Sequence, residues 1–138
     1  MNLRTIRLPV GTRLYHGTIY LYSEIIGPAW FSDIRDTSLW FATDYAQDHE
    51  GVPIVYEYEV HTPVDLIYVP DEDHEEFVFT ISDALRVEGF DTYDLAPLVC
   101  RAGFAGWFAA HAYVEEDEIP PGADIMICAP SRWLRRVR

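Results

Sequence analysis

Hydrophobic and polar residues alternate most strictly over Ile54-Val55-Tyr56-Glu57-Tyr58-Glu59-Val60, which predicts a strand with one buried and one wet face. Leu3 to Leu14 alternates more loosely around a turn at Pro9-Val10-Gly11 and leads into a strand at Leu14-Tyr15-His16. Ala29 to Ser32 is a short strand after the breaker Gly27-Pro28, and Pro63 to Val69 is another. Gly106 to Ala109 is strand-like, and Asp124 to Ala129 is the last strand, stopped by Pro130. Elsewhere the period is helical. Asp36, Thr37 or Ser38 caps a helix reaching about Asp48, with Leu39, Ala42 and Ala46 on one face. Phe77 to Glu88 is a second helix, closed by Gly89, and Tyr93 to Gly103 a third, with Pro97 near its first turn. Ile19 to Ile26 fits neither period. Asp71 to Glu76 reads as an acidic loop or helix start, and Val114 to Gly122 as an acidic loop. The pattern predicts one α+β domain over residues 1–138: a strongly bent, largely antiparallel sheet with a few short helices.

Composition narrows the function classes. The 138 residues carry a formal charge of −13, and all ten basic residues are arginines. Four of these lie between Ser131 and Arg138, so the rest of the chain is more acidic than the total. Such a surface repels phosphates, which disfavours a nucleic-acid partner; it suits solubility, or docking on a basic protein. No run approaches the ~18 apolar residues of a membrane span, and Met1-Asn2-Leu3-Arg4 does not open a signal peptide. Cys100 and Cys128 match no metal spacing and read as reduced thiols of a cytoplasmic protein. No zinc motif, phosphate-binding glycine loop or nucleophile elbow is present.

Several residues are candidates for chemistry. His16 lies in an apolar strand, where a histidine is often a satisfied core residue. Its neighbour Gly17 has no Cβ, so a flat ligand can reach its backbone N–H and C=O. Trp30, Phe31, Trp40, Phe41 and Tyr45 crowd around one small helix. Most such rings pack a core, but one or two can wall a slot in which stacking contributes about 1–3 kcal/mol. Asp124 opens an apolar strand after Pro120-Pro121-Gly122; a carboxylate there is either solvated or set to stabilise a sugar cation. Glu115, Glu116, Asp117 and Glu118 are its rivals, and four charges in a row more commonly make a solvated loop. Glu57 and Glu59 share one face of their strand, where a wet surface is the simpler reading than a carboxylate pair.

Read together, these blocks resemble the ADP-ribosyltransferase superfamily, in its branch with a His-Tyr-Glu triad, which includes the diphtheria toxin and poly(ADP-ribose) polymerase catalytic domains. His16-Gly17-Thr18 is similar to the first block and Trp30-Phe31-Ser32-Asp33 to the second, with Ser38 and Phe41 eight and eleven positions after Trp30. A second register takes Trp40-Phe41-Ala42 as the middle block, with Tyr45 nearby. Gly103-Phe104-Ala105-Gly106-Trp107 and Asp124 through Pro130 resemble the C-terminal pattern of small viral and bacterial members. The resemblance implies a split β-sheet fold and NAD as co-substrate. It implies a mono-ADP-ribosyltransferase acting on a protein, as in compact phage-type transferases that modify a host protein, including inhibitors of bacterial immunity. By this match His16 holds a ribose hydroxyl and Asp124 polarises the nicotinamide ribose. Gly17 and Ser38 hold the carboxamide, and Phe41 and Trp30 face the two sides of the ring. Thr18, Phe31, Ser32 and Tyr45 complete the pocket. Two departures matter: tryptophan stands for the middle tyrosine, and aspartate, one methylene shorter, for the glutamate. The same fold admits a binding module for NAD or ADP-ribose and an RNA 2′-phosphotransferase, and the branch with an Arg-Ser-Glu pattern fits less well on Arg13 and Glu57 or Glu59.

Overall fold

The structure, a computed structural model, describes residues 3–70, 74–110 and 121–137. In chain order its elements are β1 (Thr5–Leu8), β2 (Arg13–Thr18), β3 (Ala29–Phe31), α1 (Arg35–His49), β4 (Ile54–Val60) and β5 (Val64–Val69). They continue as α2 (His74–Leu85), α3 (Thr92–Arg101), β6 (Gly106–Ala109), β7 (Asp124–Ile127), α4 (Pro130–Trp133) and β8 (Leu134–Arg136). The strands form a five-stranded sheet in the order β1-β5-β6-β7-β3 and a three-stranded sheet in the order β2-β4-β8. Every pairing is antiparallel except β5 with β6. The expected α+β class with mainly antiparallel strands and short helices is therefore observed.

The alternation of β4 sends Tyr56, Tyr58 and Val60 inward. They meet Leu14 of β2, Phe31 of β3 and Ile125 and Ile127 of β7 in a core between the two sheets. The intervening residues of the large sheet point the other way. Ile67, Trp107 and Met126 pack under Phe77 and Ile81 of α2 and Leu95 and Val99 of α3. Strand β7 is thus buried on both faces, which explains its unbroken apolar run after Asp124. The two sheets touch through a backbone bridge in which Tyr15 and Ser32 exchange N–H···O bonds, each of 2.9 Å.

Helix α1 lies against β2 at very close range. A Cβ on Gly17 would sit 1.9 Å from the Ser38 carbonyl oxygen, so Gly17 is required by helix packing whatever a ligand needs. The buried residues of α1 are small or polar, Thr37, Ser38 and Ala42; Leu39 and Ala46 of the expected face are only half-buried. The cap also differs from expectation. Ile34 occupies it with extended backbone, because Thr37 and Ser38 are drawn into tertiary hydrogen bonds to Pro121 and Tyr15. The second helix ends at Leu85 with Arg86 left-handed, so Gly89 is not its cap; a Cβ there would meet Leu95 at 2.4 Å. In α3, Asp91 is the cap and Pro97 lies inside the helix rather than in its first turn.

Two further expectations are corrected. Asp124–Ile127 is not the last strand. Pro130 opens the single turn α4, and β8 follows it along β4. The C-terminal arginines thereby gain partners, since Glu59 bonds Arg135 at 3.3 Å while Arg13 bonds Glu57 at 2.9 Å. Glu57 and Glu59 are thus surface ion-pair members, each worth little. Cys100 and Cys128 are not free thiols: they form a disulfide, their Cα atoms 5.7 Å apart. The turn after α3 carries the chain into β6 alongside β7, with Cys128 N–H bonded to Ala105 O, and so brings the two together. The bond removes the thiol argument for a cytoplasmic protein. No helix among the described residues is long and apolar enough to cross a membrane.

The bond closes a loop of 28 residues, for which chain entropy gives about 3–4 kcal/mol. Reduction, or paired serine substitution at Cys100 and Cys128, is expected to lower the melting temperature by roughly 10 °C. A melt insensitive to dithiothreitol, with two thiols titrating in the unreduced, unfolded chain, would contradict the pairing.

Candidate functional site

A cavity of about 710 Å³ opens where the two sheets diverge beyond the Tyr15–Ser32 bridge. Strand β2 contributes His16, Gly17 and Thr18 to its wall, and β3 with its following turn contributes Trp30, Phe31 and Ser32. Helix α1 adds Ser38, Phe41 and Tyr45, and β7 adds Asp124. The ten residues that the resemblance assigns to the pocket therefore all border one cavity. Trp40 of the alternative register does not; it packs edge-on against Phe41. Glu115 to Glu118 lie outside the described residues, as do Asp71 to Asp73.

The bridge determines how β2 presents its backbone. Backbone polar groups on a strand alternate in direction, and Tyr15 spends its N–H and C=O on Ser32. The groups of His16 and Thr18 then point to β4, while those of Gly17 point to the same side as Tyr15, toward β3 where the two strands diverge beyond the bridge. Gly17 thus offers a donor and an acceptor to the cavity. Beside it, Ser38 Oγ–H donates to Tyr15 O at 2.9 Å, which commits its proton and leaves its lone pairs as acceptors.

His16 is held in one tautomer. Its Nδ1 lies 2.6 Å from Trp30 O, and a carbonyl only accepts, so Nδ1 carries the proton and Nε2 keeps a free lone pair. Burial lowers the His16 pKa, and the Trp30 carbonyl raises it in part. The ring is therefore neutral at pH 7, flanked by Phe31 at 5.5 Å and Tyr22 at 6.1 Å between centroids.

Asp124 is only 3 % exposed. Burial pushes its pKa from 3.8 up to about 7, and the Trp107 indole N–H nearby pulls it down in part. That pair falls short of hydrogen-bond geometry: Asp124 Oδ2 and Trp107 Nε1 have no partner among the described residues. Trp30 Nε1, also buried, is likewise without one. Orphaned buried polar atoms are costly and concentrate where a ligand completes them. The approach to Asp124 is held rigidly. Asp33 Oδ1 accepts from Ala123 N at 2.9 Å, and Thr37 Oγ1 donates to Pro121 O at 2.8 Å. A Cβ on Gly122 would lie 2.7 Å from that Thr37 oxygen, so the loop can lie this close to α1 only with glycine there.

The roles of the aromatics divide. Phe31 is largely core, edge-on to Tyr58 at 5.5 Å. Trp30 leans on Trp107 at 6.5 Å and on Tyr93 at 5.1 Å, forming one wall. Phe41 and Tyr45 of α1 are more exposed, and Tyr45 shares a hydroxyl contact of 3.2 Å with Tyr20. Sequence reading missed Tyr20, Tyr22, Asp44, Asp91, Thr92 and Tyr93 as wall residues. The alternate tyrosines at 20 and 22 were a weak signal inside an unassigned run. Thr92 and Tyr93 arrive through the packing of α3, which nothing local announces. Among the described residues no group of three His, Cys, Asp or Glu is placed to hold a metal. Comparison with protein-family models, with curated proteins and with solved structures finds no match.

The Asp124 shift has a stability consequence. The folded state holds this proton more tightly than the unfolded chain does. Its contribution is therefore complete below pH 4 and is lost as pH rises through about 7. Above pH 7 the ionised, buried carboxylate costs on the order of 4 kcal/mol. Asp124→Asn is expected to melt higher than the parent at pH 8 and to lose the advantage at pH 4. A variant less stable at both pH values would show that the carboxylate is paired in the native state.

Proposed function

We propose that the protein is a mono-ADP-ribosyltransferase that takes ADP-ribose from NAD and passes it to a protein. The observation that carries this reading is convergence: His16, Gly17, Trp30, Ser38, Phe41 and Asp124, drawn from four separate elements, line one cavity. In this reading the Gly17 backbone and the Ser38 lone pairs receive the nicotinamide carboxamide, an amide whose donors and acceptor they complement. Phe41 and Trp30 flank the pyridinium, whose positive charge favours aromatic faces. Neutral His16 accepts a ribose hydroxyl through Nε2 and so fixes the sugar.

Asp124 has the central part. A carboxyl balanced near neutrality by burial ionises fully when positive charge appears beside it. The bond between ribose and nicotinamide breaks through an oxocarbenium-like state, and a desolvated carboxylate stabilises such a cation far better than one in water. Its missing methylene relative to glutamate is offset if the sugar sits deep, against the β7 entry. A cytoplasmic site of action belongs to this reading because it needs NAD; the paired cysteines lend it no support. The rival is a binding module for NAD or ADP-ribose, favoured by the recessed position of Asp124. An RNA 2′-phosphotransferase fits less well, since no arginine lines the cavity among the described residues.

The test is release of nicotinamide from labelled NAD, with calorimetry on the same samples. Turnover is expected, with His16→Ala and Asp124→Asn each reducing it about 100-fold or more. Binding without turnover supports the module, and no binding at all sinks both.

A further inference from the structure

The buried carboxyl at the start of β7 has a neighbour that NAD recognition does not use. In the register of β6 with β7, Trp107 stands opposite Met126 and Ala109 opposite Asp124. Alternation puts Trp107 and Asp124 on one face of the sheet, as diagonal neighbours on adjacent strands. Such pairs lie about 7–8 Å apart along the backbone, within reach of a side chain as long as tryptophan. Trp107 is fully buried and is not among the residues that line the cavity. Its ring is fixed edge-on to Phe77 of α2 at 5.2 Å and to Trp30 at 6.5 Å. Gly106 lets β6 come this close to β7, since a Cβ there would meet Met126 O at 1.8 Å.

Trp107 Nε1 and Asp124 Oδ2 are both buried, and neither has a hydrogen-bond partner among the described residues. An indole N–H can only donate, and a carboxylate accepts far more strongly than a carboxyl that keeps its proton. We infer that Trp107 is the positioning residue for Asp124: its indole N–H engages Oδ2 when the carboxyl is ionised, and so fixes the direction in which the charge faces the cavity. The carboxyl proton leaves to water, and the indole keeps its own. Burial favours the neutral acid, and Trp107 opposes it by favouring the charged form. The other titratable groups around the carboxyl are His16 on β2, Tyr20 and Tyr22 after it, and Asp33 after β3. Helix α1 adds Asp44 and Tyr45, and the start of α3 adds Asp91 and Tyr93. None of these is a cause of the Asp124 shift. Strand β6 brings no ionisable side chain, and α2 packs Phe77 and Ile81 on this face.

The catalytic consequence rests on the transferase reading; the contact between indole and carboxyl does not. In that reading Asp124 is charged as the sugar cation forms, and a carboxylate held in one orientation stabilises that cation better than one free to turn. Loss of the donor therefore acts through Asp124, by lowering the fraction ionised at neutral pH, and not on NAD itself.

The contact is tested without NAD, by proton–nitrogen correlation spectra of the protein recorded across neutral pH. The Trp107 indole N–H resonance, assigned through its own ring protons, is expected to move with a midpoint at about 7 and to stay still in Asp124→Asn. This comparison leaves the core unaltered. A resonance that is still in the parent, or that moves equally in Asp124→Asn, overturns the proposal. Trp107→Phe keeps an aromatic ring under α2 and removes the donor. The Asp124 midpoint, followed by its carboxyl carbon resonance, should then rise by about one pH unit. Nicotinamide release at neutral pH should fall about fivefold, a deficit that shrinks as pH rises. An Asp124 midpoint that stays put, or a fall in release that is the same at every pH, shows packing alone and overturns the positioning role. If the parent releases no nicotinamide at any pH, the transferase reading fails, and the resonances decide the contact by themselves.

Discussion

Two backbone hydrogen bonds between Tyr15 and Ser32 hold the site together. They join the two sheets directly, at the end of the short strand β3. Three consequences follow from that placement. His16 comes to rest against the Trp30 carbonyl, which selects its tautomer. Gly17 is left with backbone groups that have no partner among the described residues. Ser32 and Asp33 are brought to the loop before β7, where Asp33 takes the Ala123 N–H and so fixes the start of the strand that bears Asp124. Histidine, glycine and carboxyl are separate in sequence but share one mechanical origin.

The second organising fact is that β7 is costly at one end and anchored at the other. At its entry an acid is buried with no partner for Oδ2 among the described residues, which opposes folding at neutral pH. Just past its exit Cys128 is tied to Cys100 on α3. Between them Ile125, Met126 and Ile127 are fully buried, one core on each side. Burial of this kind contributes about 1.5–3 kcal/mol per large side chain, enough to hold a strained polar group in place. A carboxyl buried in the wall of a cavity, its Oδ2 without a partner among the described residues, costs stability there rather than adding to it at neutral pH.

The strands that carry the site were legible because their signals are local. Alternation marked β4 to the residue, and β2, β3, β6 and the start of β7 fell where turns and periodicity put them. His16, Gly17, Trp30, Ser38 and Asp124, which border one cavity, were gathered as a set only by the resemblance to the ADP-ribosyltransferase pattern, since no single one of them differs from an ordinary core or surface residue. What was not legible came from tertiary packing. Thr37 and Ser38 look like helix caps, yet they serve distant carbonyls. Gly17 looks like room for a ligand, and its first duty is to admit helix α1. Strand β8 hides behind Pro130 because the proline opens one helical turn instead of ending the fold. The cysteine pair gave no sign of bonding, because only the turn from α3 into β6 brings the two residues together.

The central claim is that the edge of Gly17, the imidazole of His16 and the carboxyl of Asp124 surround a single nicotinamide riboside. A crystal structure of the protein soaked with NAD tests it most directly. The account predicts the carboxamide on the Gly17 backbone, the pyridine ring between Trp30 and Phe41, and a ribose hydroxyl on Asp124. An empty cavity at saturating NAD, or a dinucleotide bound elsewhere on the surface, would contradict it.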